Sequence, residues 1–429
     1  MDVNEIADLG TERRAALFER DAGVEGARDA VREVVERVRE EGDVAVREFT
    51  EEFDDVTVGN LDVGDDAERA YEDRVSDDVR DAIDAAVANV REFHERQVPE
   101  DWREEFSPGR ELGRRFRPLS RVGVYAPGGT AAYPSSAIMG VVPAKVAGVD
   151  QVAVATPPAE EMNPATLAAV HAAGADEVYS IGGAQAIAAL AYGTESVPRV
   201  QKVVGPGSKW VTAAKAEVRG DVDIDFLAGP SEVLVLADDT ADPALVAAEL
   251  VAQAEHDPDA SVVAVTDDAD LADDVVDAVA AQVDGRDRES TIRDALANDA
   301  SGVLLARSMS EAVLFANEYA AEHLVVQADD DESLLDRVDN AGSVFLGPNT
   351  PVAAGDYASG TNHVLPTNGG AKRHGGLSVD AFVRSTTVQR LDDTGLRDLA
   401  DTITTLAEAE GLEAHAESVR KRLDRAEGD

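Results

Sequence analysis

Residues 121–156 read RVGVYAPGGTAAYPSSAIMGVVPAKVAGVDQVAVAT. A Val-rich run, Val122–Ala126, meets a turn at Pro127-Gly128-Gly129, passes into an apolar Ala/Val stretch of helix length, and returns to a second Val-rich run, Gln151–Thr156. Short apolar runs with no polar alternation are the mark of strands buried on both faces, and a helix-length insert between two of them predicts a parallel pair. The pattern continues outward. Val178–Ile181, Lys202–Gly205, Glu232–Ala237, Ser261–Thr266, Gly302–Ala306, His323–Gln327 and Ser343–Gly347 are further candidate strands, and helical stretches fill most of the gaps. The alternation predicts an α/β protein with parallel sheets. So many strands imply two units, with the break near Gly229-Pro230-Ser231. No motif shared by the halves shows a duplication.

Before Arg121 the chain reads as helical. Val31, Val34, Val35 and Val38 stand at helix spacing within a stretch from about Gly26 to Glu52, and a second helix is expected from about Asp77 to Gln97. Two helices separated near Gly411 close the chain. The segment Gly347–Gly376, rich in Gly, Asn, Thr and Pro, is too long for an ordinary connection and reads as functional.

The chain has 429 residues, 86 acidic and 39 basic, for a formal net charge of −47, and no cysteine. Disulfides, thiolate catalysis and Cys-held zinc are excluded, so any transition metal must be held by His, carboxylate or amide groups. Phosphate backbones would be repelled, which argues against a nucleic-acid partner. No apolar run reaches the ~20 residues of a membrane span, and the N-terminus lacks the basic start and apolar core of a secretory signal, so a cytoplasmic location is expected. The acids are spread along the whole chain, and self-repulsion of this size suits a high-salt cytoplasm. The unfolding midpoint is therefore expected to rise steeply from low to molar KCl; a midpoint independent of salt would remove this reading.

Four segments could carry chemistry. Asp242-Pro243 is a helix start, and Val246, Leu250 and Gln253 continue one inward face, with His256 a turn beyond and Pro258 limiting the helix. An inward Gln followed by a His at the helix end suits a ligand pair, and equally suits a hydrogen-bonded amide with a C-capping His. Glu322-His323 joins a carboxylate and an imidazole at a helix–strand junction, either as two proton-transfer groups or as a solvated acid beside a strand-leading His. Asp356 and His363 lie in the loop after a strand, at the carboxyl end where such folds place ligands. His415 lies on the apolar stripe of the last helix with Leu412 and Val419. For cofactors, neither G-x-G-x-x-G after a strand nor G-x-x-x-x-G-K-[ST] is present. Glycine turns at Gly128-Gly129, Gly182-Gly183 and Gly205-Pro206-Gly207 permit an anion at a helix start and no more.

Seven blocks in order, RVGVYAPGG (121–129), IGGAQAIAALAYGTESVP (181–198), VVGPG (203–207), FLAGPSEVLV (226–235), QAEHDPDA (253–260), NEYAAEHL (317–324) and AGDYASGTNHVLPT (354–367), resemble the histidinol dehydrogenase family over nearly the whole chain. The resemblance implies two Rossmann-like parallel-sheet domains, 121–230 with NAD contacts and 231–380 with zinc and catalytic residues. It further implies an N-terminal helical region, 1–120, packed with the 231–380 domain, and a helical tail, 381–429, that reaches a partner subunit. Gln253, His256, Asp356 and His415 look like ligands of one zinc ion per subunit. Glu322 and His323 look like the proton-transfer pair. Ser231, His363 and Glu410, with His323 and the metal ligands, look like substrate contacts. Tyr125, Gln185 and Ser208 look like NAD contacts, Ser208 standing where the family has Asn. The implied activity is the four-electron, NAD-dependent oxidation of L-histidinol to L-histidine through bound L-histidinal, the last step of histidine biosynthesis, in a homodimer with shared sites. Three alternatives stand beside it: a related zinc- and NAD-dependent dehydrogenase of another alcohol, such as a sulfonated diol; a binding protein without redox activity; and a zinc hydrolase, which lacks H-E-x-x-H.

Overall fold

The computed structural model describes residues 1–20, 23–128 and 133–426; Gly129 of the first glycine turn lies outside them. The described chain divides into two compact units, one made of residues 1–97 and 120–382 and the other of 98–119 and the segment from 383 onward.

The larger unit holds two parallel sheets. In the first, the strands Glu177–Ser180, Gln151–Thr156, Arg121–Tyr125, Lys202–Val204 and Asp223–Ile224 lie side by side in that order. In the second the order is Val3–Glu5, Gly302–Leu305, Ser261–Thr266, Glu232–Ala237, His323–Gln327, Ser343–Leu346. Numbered along the chain, both sheets run 3-2-1-4-5, with the N-terminal strand added to the edge of the second. The first strand therefore pairs on both sides, and the direction of winding reverses beside it; that reversal leaves a crevice at the strand ends. All nine expected strands form, within a residue at each end. Glu232–Ala237 and Ser261–Thr266 are buried at every position, which is why they read as unbroken apolar runs. With few aromatics, both cores are mostly Val, Ala, Leu and Ile.

Residues 1–120 are shared among three places. Ile6, Leu17 and Phe18 pack on one face of the second sheet. The helices Val24–Glu41 and Asp43–Asp54 pack on Gly183–Tyr192 and Lys209–Val218 beside the first sheet. The stretch expected as one helix is broken at Gly42, whose φ of +59° suits glycine. A Cβ there would also strike the Glu195 carboxylate, which accepts from Asp43 N–H at 2.9 Å.

The smaller unit contains elements the sequence did not announce. Trp102–Ser107, Arg110–Pro118 and Val383–Leu391 form a three-stranded antiparallel sheet, with Arg110–Pro118 in the middle. The helices Asp393–Ala409 and Glu413–Ala426 follow, turning at Gly411. Among the described residues no helix is long and apolar enough to cross a membrane.

Candidate active site

The expected catalytic residues gather at the amino edge of the second sheet, opposite to the edge expected for the 354–363 segment. His323 is the first residue of its strand, Glu322 precedes it, and Ser231 precedes the neighbouring strand Glu232–Ala237. The helix Pro243–Ala254 runs back between two parallel strands, so its last turn also ends at the amino edge. Its start is as read: Pro243 in the first turn and the Asp242 side chain accepting from Ala244 N–H at 2.8 Å. Gln253 is buried and His256 exposed. Asp356 is not in open loop but on the short helix Val352–Tyr357, which carries the chain back toward His323. Glu249, one turn before Gln253, accepts from Val352 N–H at 3.0 Å and fixes the start of that helix.

His323 is locked in one tautomer. Its Nδ1 lies 3.0 Å from the Glu232 carbonyl oxygen, which can only accept, so Nδ1 carries the hydrogen and Nε2 is left with its lone pair. Nε2 is sealed from solvent with no hydrogen-bond partner, 3.7 Å from Asp356 Oδ1. Burial holds the imidazole below its usual pKa, against the pull of Asp356. The result is a neutral imidazole with a free basic nitrogen facing the site. Glu322 is also buried; its Oε2 accepts from Glu232 N–H at 2.8 Å, lies 3.5 Å from His323 Nδ1, and the carboxylate takes a bond from the Ser231 side chain. Burial pushes this carboxyl well above the ordinary range, with Glu232 and Asp356 adding to the push.

His363 donates from Nδ1 to the Asp356 carbonyl at 2.9 Å, and its Nε2 lies 3.3 Å from Ser136 Oγ. Burial lowers it to about 4, so it too is neutral. Ser136 was not anticipated. It sits in the first turn of the helix Pro134–Val146, which leaves the carboxyl edge of the first sheet, and the next turn of that helix accepts at Met139 O from Asn362 Nδ2 at 2.8 Å. The first sheet's carboxyl edge is thereby tied to the site at the second sheet's amino edge. A hydroxyl inside an apolar helix carries no sequence signal of such a role.

The buried pair behind the candidate catalytic residues was also unanticipated. Arg20 Nη1 meets Glu232 Oε2 at 2.8 Å, and both side chains are almost fully enclosed. Glu232 Oε1 accepts from Asn368 N–H at 2.6 Å.

As to a metal, no three His, Cys, Asp or Glu side chains among the described residues cluster closely enough to hold an ion by themselves. Gln253 adds an amide whose oxygen could serve as a ligand; its Nε2 is buried without a partner. Asp356 lies near enough to His323 and His256 to feel both charges, though burial prevails and raises its pKa. Gln253, His256 and Asp356 thus offer an N/O donor set compatible with zinc. Glu410 and His415 belong to the smaller unit, both exposed, at the end of one helix and the start of the next.

Tyr125 ends its strand and Gln185 and Ser208 follow theirs at the carboxyl edge of the first sheet, Tyr125 and Ser208 flanking its reversal point. The buried Tyr125 hydroxyl accepts from Gly183 N–H at 3.1 Å, and burial raises its pKa to about 12. Gly205, at φ +114°, closes on Tyr125 so tightly that a Cβ would collide with its carbonyl. Ser208 occupies the N-cap of Lys209–Val218 without capping it, so its hydroxyl is free for a ligand at a helix N-terminus.

Comparison with known proteins identifies the family. The family model described as histidinol dehydrogenase matches residues 19–423. The histidinol dehydrogenase of Haloarcula marismortui is 74% identical over 99% of this chain and 100% of its own length. That of Halobacterium salinarum is 70% identical over the same shares. The crystal structure of histidinol dehydrogenase from Elizabethkingia anophelis superposes with a TM-score of 0.93 at 36% identity, covering 100% of this chain and 99% of that one. The chain belongs to the histidinol dehydrogenase family.

Proposed function

We propose that the protein oxidises L-histidinol to L-histidine in two NAD-linked steps at a zinc site, as the last step of histidine biosynthesis. The observation that carries this reading is the free Nε2 of His323, a buried base beside a buried carboxyl and an acidic N/O donor set. Domain roles follow: 121–230 binds the dinucleotide through Tyr125, Gln185 and Ser208, and 231–380 supplies the metal and catalytic residues.

Gln253, His256 and Asp356, completed by His415 of the partner subunit, would hold zinc, whose chemistry here is to fix the substrate's imidazole and amine. NAD, when bound, accepts hydride. The protein's own part is proton handling. His323 Nε2 takes the alcohol proton as the carbinol C–H leaves as hydride, giving the aldehyde. Glu322 takes a proton from water as its oxygen adds to the aldehyde carbon, and protonated His323 returns its proton to the aldehyde oxygen, giving the hydrate. A carboxyl raised by burial is suited to this exchange, because its affinity for the proton is brought nearer the operating pH. His323, having released its first proton, takes one from the hydrate as the second hydride leaves, and the carboxylic acid results. Ser231 orients Glu322, while Ser136 and the Asp356 carbonyl orient His363, which burial keeps neutral, toward the substrate.

We further read Glu410 and His415 as serving the site of a partner subunit in a homodimer working in the salt-rich cytoplasm. Histidinol is favoured over another alcohol because an amine and an imidazole suit so acidic a pocket. Purified enzyme in molar KCl with zinc is expected to form two NADH per histidinol and to contain one zinc per subunit. One NADH per histidinol would mean release at the aldehyde, and none would overturn the assignment.

A further inference from the structure

Asp54 is the last residue of the helix Asp43–Asp54, which packs against Gly183–Tyr192. Its Oδ2 lies 3.4 Å from Nε2 of Gln185, in the first turn of that second helix. Gln185 is 1% exposed, and its Oε1 is enclosed with no partner. Tyr125, whose hydroxyl meets the same turn at Gly183 N–H, is near enough for its charge state to respond to Asp54. Asp54 is half-buried, and no cation among the described residues offsets its charge; desolvation alone raises it to about 6. Several other enclosed acids of this chain have a cation. Glu232 has Arg20, Asp225 has Lys215, Glu177 has Arg121 and Asp176 has Lys145. An unpaired carboxylate and an unsatisfied amide oxygen, side by side at the carboxyl edge of a 3-2-1-4-5 sheet, form an acceptor pair awaiting donors.

We infer that Asp54, with Gln185, receives the hydroxyls of the dinucleotide's adenosine ribose and makes the protein select NAD against NADP. The inference rests on the NAD reading above. Two vicinal hydroxyls supply the donors that the pair lacks. The pair sits where the helix Gly183–Tyr192 starts after strand Glu177–Ser180, the outer of the first three strands, and the same turn meets Tyr125 beside the reversal point; a dinucleotide's adenosine half extends to this side of such a point. A 2′-phosphate there would face a poorly solvated carboxylate with no Arg to receive it, and the like charges would exclude it. Asp54 is thus a specificity-determining residue and takes no part in the proton transfers.

The test is direct binding, without histidinol. Calorimetric titration of the zinc-loaded dimer with NAD and with NADP gives a preference ratio for the wild type, Asp54→Asn and Asp54→Glu. The isosteric Asp54→Asn is expected to lower the NAD-over-NADP ratio by about tenfold or more, since it removes a charged acceptor and the repulsion together. Asp54→Glu is expected to regain part of it. Thermal unfolding of each variant confirms that the fold is kept. An Asn variant that binds NAD with the wild-type ratio, within twofold, overturns the role of Asp54. A wild type that binds neither dinucleotide overturns the cofactor reading instead, so the two failures are distinct.

Discussion

His323→Asn lowers kcat for histidinol oxidation by about 10²–10⁴-fold, the usual contribution of a positioned proton acceptor. Asparagine can still donate to the Glu232 carbonyl that now accepts from Nδ1 at 3.0 Å, so the strand edge is expected to remain in place. What is lost is the lone pair of Nε2, which no neighbour replaces because that nitrogen has no hydrogen-bond partner. Stopped-flow absorbance of NADH should show both oxidations slowed, since the same base serves each. A loss below tenfold would remove His323 from the proton path. The same variant tests the shared site: mixed and re-dimerised with an inactive His415→Ala variant, it should regain activity, because a mixed dimer would contain one intact site. No recovery would place His415 outside the partner's site.

Arg20→Met destabilises the protein by about 3–5 kcal/mol, the cost of leaving one member of a buried pair alone. Arg20 and Glu232 are 5% and 1% exposed at their side chains, so water cannot take the place of the guanidinium. Arg20 also donates to Tyr319 O at 2.9 Å and lies 3.8 Å over that residue's ring. The Glu232 backbone holds both candidate catalytic side chains, giving its N–H to Glu322 and its carbonyl to His323. Strain at Glu232 should therefore reach kcat as well as stability. Urea unfolding in molar KCl measures the first. The double variant Arg20→Met, Glu232→Leu should recover most of the lost stability, since an apolar pair leaves no charge behind. A single-variant loss below about 1 kcal/mol would show that Glu232 finds another partner.

The parallel sheets were legible because their strands are enclosed on both faces, and a run such as Glu232–Ala237 has no solvent side to record. The antiparallel sheet was not, for the opposite reason. Trp102–Ser107, Arg110–Pro118 and Val383–Leu391 expose most of their side chains and are crowded with Arg and Glu, so neither alternation nor an apolar run appears. The candidate site was read by family likeness more than by pattern. By itself Glu322 looks like a solvated acid, yet it is 6% exposed, because Ser231 and Glu232, ninety residues earlier, close over it. Burial imposed from such a distance leaves no mark in the local sequence. The same holds for Ser136 and His363, which lie 227 residues apart. The turn at Gln253 was legible, since Asp242, Pro243, Val246 and Leu250 fix the phase of its helix.

The interleaving of chain segments has a consequence for how the protein is made on the ribosome. Arg114, in the middle strand of the antiparallel sheet, bonds to Ser385, 271 residues later. At about 5–20 residues per second, that partner strand emerges about 14–54 s after the hairpin. Arg13 likewise waits 288 residues for Ser301. The first parallel sheet can close early, since its strands are contiguous from Arg121 to Ile224. Throughout that interval the nascent hairpin presents an unpaired strand edge, the kind of surface that recruits other chains. The Arg and Glu residues that hid these strands from the sequence reading are the same ones that keep that waiting edge soluble.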